Sequence, residues 1–221
     1  MNDSASTARR FFQADTLKYL PSIAVSALAG IVMLPVATRL FSPRSFGNYS
    51  IALSAFNFLQ VIASAWLGSS ILRFHTGAEI NFETGRMNTT AFWLTGAGSV
   101  LMVGFFLAAV VYSRTGLEEE LFYLLLIVSA QLFAFNLLML PLQVLRAQRR
   151  IGMYNLLTIS RTVLPLATGI AVCLTLGNRT AIWLVAGSAV SFVFLVPAGY
   201  GSCFRGENRL RFEGFDREWA R

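Results

Sequence analysis

Arg161 stands inside an apolar run, in TISRTVLPLATGIAV, and of all the residues in this sequence its chemistry most needs a partner. A guanidinium stays charged, is weakly hydrated, and offers a planar fork of donors that matches phosphate or carboxylate. In a bilayer interior it costs at least about 2.5–3.5 kcal/mol on insertion scales. Something must compensate. Either the cation meets an anionic ligand, or the side chain snorkels back to the headgroups. Thr158, Thr162, Pro165 and Gly169 share its helical stripe, while Leu157, Leu164 and Leu166 lie largely elsewhere, which favours an inward-facing side chain.

Other chemistry is scarce. There is one histidine, His75, and two cysteines, Cys173 and Cys203, with no CxxC, so neither a disulfide framework nor a zinc site is indicated and no cofactor is expected. Seventeen of the 18 basic residues are arginine and one is Lys18. A net charge of +7 would suit a nucleic-acid binder, but the arginines are scattered between apolar runs and form no basic face, which excludes that class. No Asp or Glu falls within an apolar run. A proton-driven pump or an exporter of cations usually carries an acid there. A transferase or hydrolase acting on a membrane-bound sugar needs carboxylates or His near an interface. Glu79 and Glu83 are the nearest acids, and HTGAEINFE otherwise reads as a solvated loop. An enzyme is therefore not expected, and no residue is assigned a catalytic role.

Weaker polar stripes recur at helical spacing. Asn57, Gln60, Ser64 and Gly68 step by three and four; Ser129, Asn136 and Gln143 step by seven; Ser22, Ser26 and Gly30 step by four. The small residues suit close helix packing, and the amides suit either bonds across helices or the lining of a cavity.

The elements that must position these residues are membrane spans. The chain of 221 residues is 55% hydrophobic and only 13% charged, with a mean hydropathy of +0.60. A soluble domain carries about a quarter charged residues. A hydrocarbon core of about 30 Å needs about 20 apolar residues in a helix. Six stretches qualify, near Leu17–Leu40, Tyr49–Leu72, Thr90–Tyr112, Leu121–Leu145, Tyr154–Leu176 and Ala181–Tyr200. Lipid leaves open sheets unsatisfied, so the expected fold is all-α, an integral membrane bundle of six transmembrane helices over residues 17–200. Tails over 1–16 and 201–221 flank it. Thirteen basic residues fall on the side of the two termini and four on the other, which predicts cytoplasmic N- and C-termini. Arg39 and Arg44 then lie in an outward hinge, where they cap helix ends or meet lipid phosphate. Ser42-Pro43 and Gly47 suit a tight turn there. Pro35, Pro141, Pro165 and Pro197 fall in or near spans and kink them.

The hinge TRLFSPRSFGNYSIALS (38–54), through Arg39, Leu40, Ser42, Pro43, Phe46, Gly47 and Tyr49, resembles the first extracytoplasmic turn of bacterial polysaccharide biosynthesis proteins. These are the lipid-linked oligosaccharide flippases of the multidrug/oligosaccharidyl-lipid/polysaccharide exporter superfamily. SSILRF (69–74) and LPLQVLRAQRRIGMYNLL (140–157) are similar to the end of helix two and the link between helices four and five. The resemblance covers the N-terminal half of the family, one six-helix lobe of a two-lobe transporter. RFEGFDREWAR (211–221) looks like the lead-in to a seventh helix. The missing half is then truncated, supplied by a separately encoded partner, or replaced in a homodimer.

The resemblance implies alternating access for glycans on polyprenyl diphosphate across the bacterial inner membrane, in the making of O-antigen, lipopolysaccharide or exopolysaccharide. On that basis Arg161 meets the diphosphate in the cavity. Arg73 and Arg146 stand at the cytoplasmic mouth, Arg39 stands at the outer mouth, and Asn57, Gln60 and Asn136 bond sugar hydroxyls. A non-transporting scaffold in glycan assembly is the alternative, and a membrane-bound transferase a more distant one.

Overall fold

Hydrogen bonding within the segment is the only way an isolated stretch of backbone can cross lipid, and helices dominate the structure accordingly. The computed structural model describes residues 17–80, 84–176, 180–204 and 210. The helices are α1 (Leu20–Leu40), α2 (Pro43–Ile80), α3 (Thr84–Tyr112), α4 (Glu119–Ala147), α5 (Ile151–Thr175) and α6 (Ala181–Cys203), with no strand among the described residues. All six are long and apolar enough to cross a membrane, as expected. Most of the two tails lies outside the described residues.

The boundaries differ from the expectation at α2 and α3. HTGAEINFE does not read as a loop through its length: α2 continues to Ile80 and α3 begins at Thr84, with 81–83 outside the described residues. His75 and Ala78 are buried. Apolar composition marks only the part of a helix that lies in hydrocarbon, about 20 residues. The helix itself persists wherever backbone pairing and packing continue. At 38 residues α2 is about 57 Å long, at about 1.5 Å per residue.

The hinge also differs. Only Phe41 and Ser42 separate α1 from α2. Pro43 opens α2, where its missing N–H is no loss, and Ser42 Oγ accepts the Ser45 N–H at 3.3 Å as an N-cap. Gly47 lies inside α2 with open space around its Cβ position, so the turn does not require it. The turn between α4 and α5 has three residues, 148–150. Arg150 N–H donates to Leu145 O at 3.0 Å and Arg149 N–H to Arg146 O at 3.1 Å, closing a Schellman motif. Arg149 takes the left-handed position at φ 55°, normally a glycine's place.

The ends of α1, α3 and α5 and the starts of α2, α4 and α6 share one end of the bundle, the hinge end; the opposite ends of the six helices share the other, the tail end. Helix α4 is the central post, packed against α2, α3, α5 and α6, and α5 runs along both α6 and α1. Leu124, Leu132, Leu138, Leu142, Val144 and Leu145 of α4 are all but sealed. The α5–α6 contact closes on two glycines. A Cβ on Gly169 would lie 2.6 Å from Leu184 O, and one on Gly187 would lie 2.8 Å from Thr168 O. Helix α1 leans on α5 through Ser26, whose Oγ is 3.2 Å from Thr162 Oγ1, and Ser22, one turn earlier, is buried. Gly30 of the same stripe meets nothing. Helix α1 scarcely touches α2 beyond their joining turn.

Candidate functional site

Arg161 sits ten residues into α5, about 15 Å along the axis at about 1.5 Å per residue, close to the helix midpoint. The side chain is half-buried and turns toward α4. Its Nη1 donates to Met139 Sδ at 3.1 Å, and its Cζ lies 5.0 Å from the centre of the Phe135 ring. Phe135 and Met139 are one turn apart on α4, so they form a polarisable cradle beneath the cation. Neither carries a charge, and no carboxylate pairs with Arg161 among the described residues. The neighbouring Thr158 is buried with its hydroxyl unpaired. Toward the tail end, Tyr154 packs edge-on to Tyr19 at 5.3 Å, and Asn155 Nδ2 donates to Lys18 O at 2.6 Å. These contacts anchor the start of α1 on α5.

A cavity of about 180 Å³ opens immediately toward the hinge end, between α1, α2, α4, α5 and α6. Pro165, one turn beyond Arg161, forms part of its wall, as does Phe56. Phe56 packs edge-to-face on Phe135 at 5.4 Å, so the ring under Arg161 also supports the cavity floor. The lining is mainly apolar. Its polar groups are Tyr49 and the pair Gln131 and Ser188, which are 3.4 Å apart.

A polar clamp closes the hinge end above the cavity. Arg44 donates through Nε and Nη2 to the two oxygens of Glu118, at 3.0 and 2.9 Å. Asn48 Nδ2 reaches both Glu118, at 3.1 Å, and Glu120, at 3.2 Å. Ser45 Oγ donates to Glu120 and accepts the Ala181 N–H at 3.2 Å. The starts of α2, α4 and α6 meet here, and their positive dipole ends favour the two carboxylates. The Arg44 hydrogen bond first, and then that of Asn48, hold the Glu118 carboxyl below its ordinary range.

The structure spreads the residues singled out in the sequence rather than gathering them. Arg39 is exposed at the end of α1, while Arg146 and Arg73 are exposed toward the tail end, Arg73 over the Phe74 ring at 5.6 Å. Asn57 is exposed on α2 and Gln60 is half-buried. Asn136 is buried on α4 with both amide atoms unpaired. None of the seven lines the cavity; Arg161 stands one turn from Pro165 of its wall and over Phe135, which packs on Phe56 of the wall. Gln143 of the amide stripe faces Gly68 of α2, where a Cβ would come within 3.2 Å of its amide, so that pair serves helix packing. Sequence reasoning missed Phe135 and Met139, since nothing in an apolar run marks which residue a cation from another helix will meet. It also singled out neither Glu118 nor Glu120. Their place at a helix start, with Ser45 and Asn48 one turn apart at another, was the available signal.

Six spanning-length helices, five of them lining an apolar cavity with a cation one turn from its wall, define a multi-pass helical membrane protein. Compared with known families, residues 13–217 match the one described as polysaccharide biosynthesis protein, and the chain belongs to that family. No curated protein and no solved structure matches the chain.

Proposed function

We propose that this protein forms one lobe of an alternating-access carrier that moves glycans linked to polyprenyl diphosphate across the bacterial cytoplasmic membrane, performing no covalent chemistry. The single observation that carries the reading is Arg161: a guanidinium near the middle of a spanning helix, held by a thioether and a ring, with no carboxylate paired to it among the described residues. A diphosphate stripped of water is prohibitively costly in hydrocarbon. An arginine fork supplies bidentate hydrogen bonds and charge where the headgroup is most exposed to that cost. Family membership in polysaccharide biosynthesis supports the substrate class.

In this reading both termini are cytoplasmic, because thirteen basic residues crowd that side. Arg73 and Arg146 collect the headgroup at the cytoplasmic mouth, and Arg39 releases it at the hinge end. Asn57, Gln60 and Asn136 bond sugar hydroxyls as the glycan passes. A second six-helix lobe, from further chain, a separate partner or a second copy, completes the path.

The test is translocation of a fluorescent polyprenyl-diphosphate oligosaccharide in liposomes, read with a membrane-impermeant quencher, for the complete assembly with and without Arg161→Met. Methionine keeps an unbranched apolar stem and removes the charge. Transport falls by about tenfold or more if a hydrogen-bonded charge contact worth about 1.5–3 kcal/mol is lost. Equal transport at equal protein level removes Arg161 from the mechanism.

A further inference from the structure

We infer that Phe135 is a positioning residue for the headgroup site: its ring holds the Arg161 guanidinium at mid-membrane and leaves the hydrogen-bonding edge free for phosphate. This inference rests on the carrier reading and adds to it a residue that acts through Arg161 rather than on the substrate.

An arginine on a spanning helix has somewhere else to go. Side chains lean toward a helix's N-terminus, which for α5 lies at the tail end. An unheld Arg161 extends its stem that way and carries its charge toward the headgroups. In the structure the fork instead turns across to α4, with Cζ 5.0 Å from the centre of the Phe135 ring and Nη1 donating to Met139 Sδ at 3.1 Å. The ring is itself held. Phe56 of α2 meets it at 5.4 Å and 80°, and Phe192 of α6 meets it at 6.1 Å and 63°. These are separations and tilts that aromatic pairs prefer. All three rings are buried, so Phe135 cannot swing aside. Residues of α2, α4 and α6 together thus fix where the cation of α5 sits.

The kind of contact matters as much as its strength. A carboxylate would hold the guanidinium more tightly, but it would occupy the fork and cancel the charge. A ring attracts the cation through its π face and takes no N–H from it. Met139 accepts from Nη1, and Arg161 makes no other hydrogen bond among the described residues. The side chain is only half-buried. The rest of the fork is therefore open to phosphate oxygens while the ring and the thioether keep it in place. Weakening the ring's attraction lets the fork leave. Only molecules with the fork inward are then competent, and apparent affinity for the headgroup falls with that fraction.

The experiment replaces Phe135 of the full chain, in nanodiscs, by mono-, di- and trifluorophenylalanine. Fluorine draws electron density from the π face, which weakens its pull on a cation, and scarcely changes the ring's size. Two quantities are read. One is affinity for farnesyl diphosphate, with farnesol as the control for binding through the chain alone. The other, with no ligand, is the rate at which aqueous phenylglyoxal modifies Arg161, followed by mass spectrometry. The expected result is affinity that falls stepwise with each fluorine, by about tenfold at three, and modification that quickens in the same order. Tenfold corresponds to about 1.4 kcal/mol, within the range of a desolvated cation–π contact. A ring that merely fills space responds to neither step. Trifluorophenylalanine at Phe106 of α3 moves neither quantity, and in an Arg161→Met background the Phe135 series leaves affinity unchanged. If the trifluoro protein fails to fold, the mono and di steps decide. A flat affinity, a flat modification rate, or equal effects from Phe106 overturns the inference. A flat series alongside loss of transport in Arg161→Met sinks the role of Phe135 and spares the carrier reading; a graded modification rate alongside normal transport in Arg161→Met sinks the carrier reading and leaves the ring's hold on the cation standing.

Discussion

Replacing Gly169 by alanine probes the closest helix contact in the bundle. The new Cβ would lie 2.6 Å from Leu184 O, against about 3.3 Å for a tolerable carbon–oxygen contact. The obstructing atom belongs to the backbone, so no rotamer relieves it, and α5 must draw away from α6 by roughly 0.7 Å. Gly187 faces the same seam: a Cβ there would lie 2.8 Å from Thr168 O and 2.9 Å from Val172 Cβ. Overpacking of this kind costs about 1–3 kcal/mol. Gly169→Ala, with the shorter contact, belongs toward the upper part of that range, about a thirtyfold to hundredfold shift in the unfolding equilibrium at about 1.4 kcal/mol per tenfold. The assay is equilibrium unfolding of the full chain in micelles by added dodecyl sulfate, followed by circular dichroism. Gly104→Ala is the control, with nothing within 4 Å of its Cβ; it stabilises by about 0.5–1 kcal/mol through helix propensity alone. The double Gly169→Ala, Gly187→Ala variant costs less than the sum, because the first substitution already opens the space the second needs. A Gly169→Ala protein that unfolds with wild-type stability refutes the α5–α6 crossing described above.

The clamp predicts an acid-sensitive hinge end. The folded Glu118 carboxyl titrates below its ordinary range, so its contribution is complete above that range and lost as pH falls through the folded value. Acid unfolding of Glu118→Gln therefore has a shallower pH dependence than wild type below the ordinary carboxylate range, and identical slopes count against the clamp. Arg149→Gly relieves a left-handed residue at a cost of about 1–2 kcal/mol and raises stability, whereas Arg149→Val lowers it; thermal unfolding distinguishes the two. Asn136→Leu removes two unpaired buried amide atoms and stabilises the fold by about 1–2 kcal/mol in the same unfolding titration. If Asn136 also bonds sugar, that more stable variant transports less.

The six spans were legible because lipid permits so little else. Any run of about 20 apolar residues without acids must become a helix there. Arg161 was equally visible, since a charge in such a run is conspicuous without any structure. Its surroundings were not. Apolar residues on a spanning helix suit lipid and protein alike, so hydrophobicity does not say which face turns inward. That is why Phe135 and Met139 emerged only when α4 was seen packed on α5.

Composition and order alone determined that this chain is a bundle of membrane-spanning helices with a single guanidinium in its interior, because hydrocarbon punishes unpaired backbone and charge wherever they occur. Tertiary structure decided what meets what: Arg44 with Glu118 across 74 residues of sequence, Gly169 with Leu184, and the cavity that separates α1 from α2. Such contacts depend on how each helix is rotated and how far it extends, and short-range contact physics settles both only once the helices are side by side.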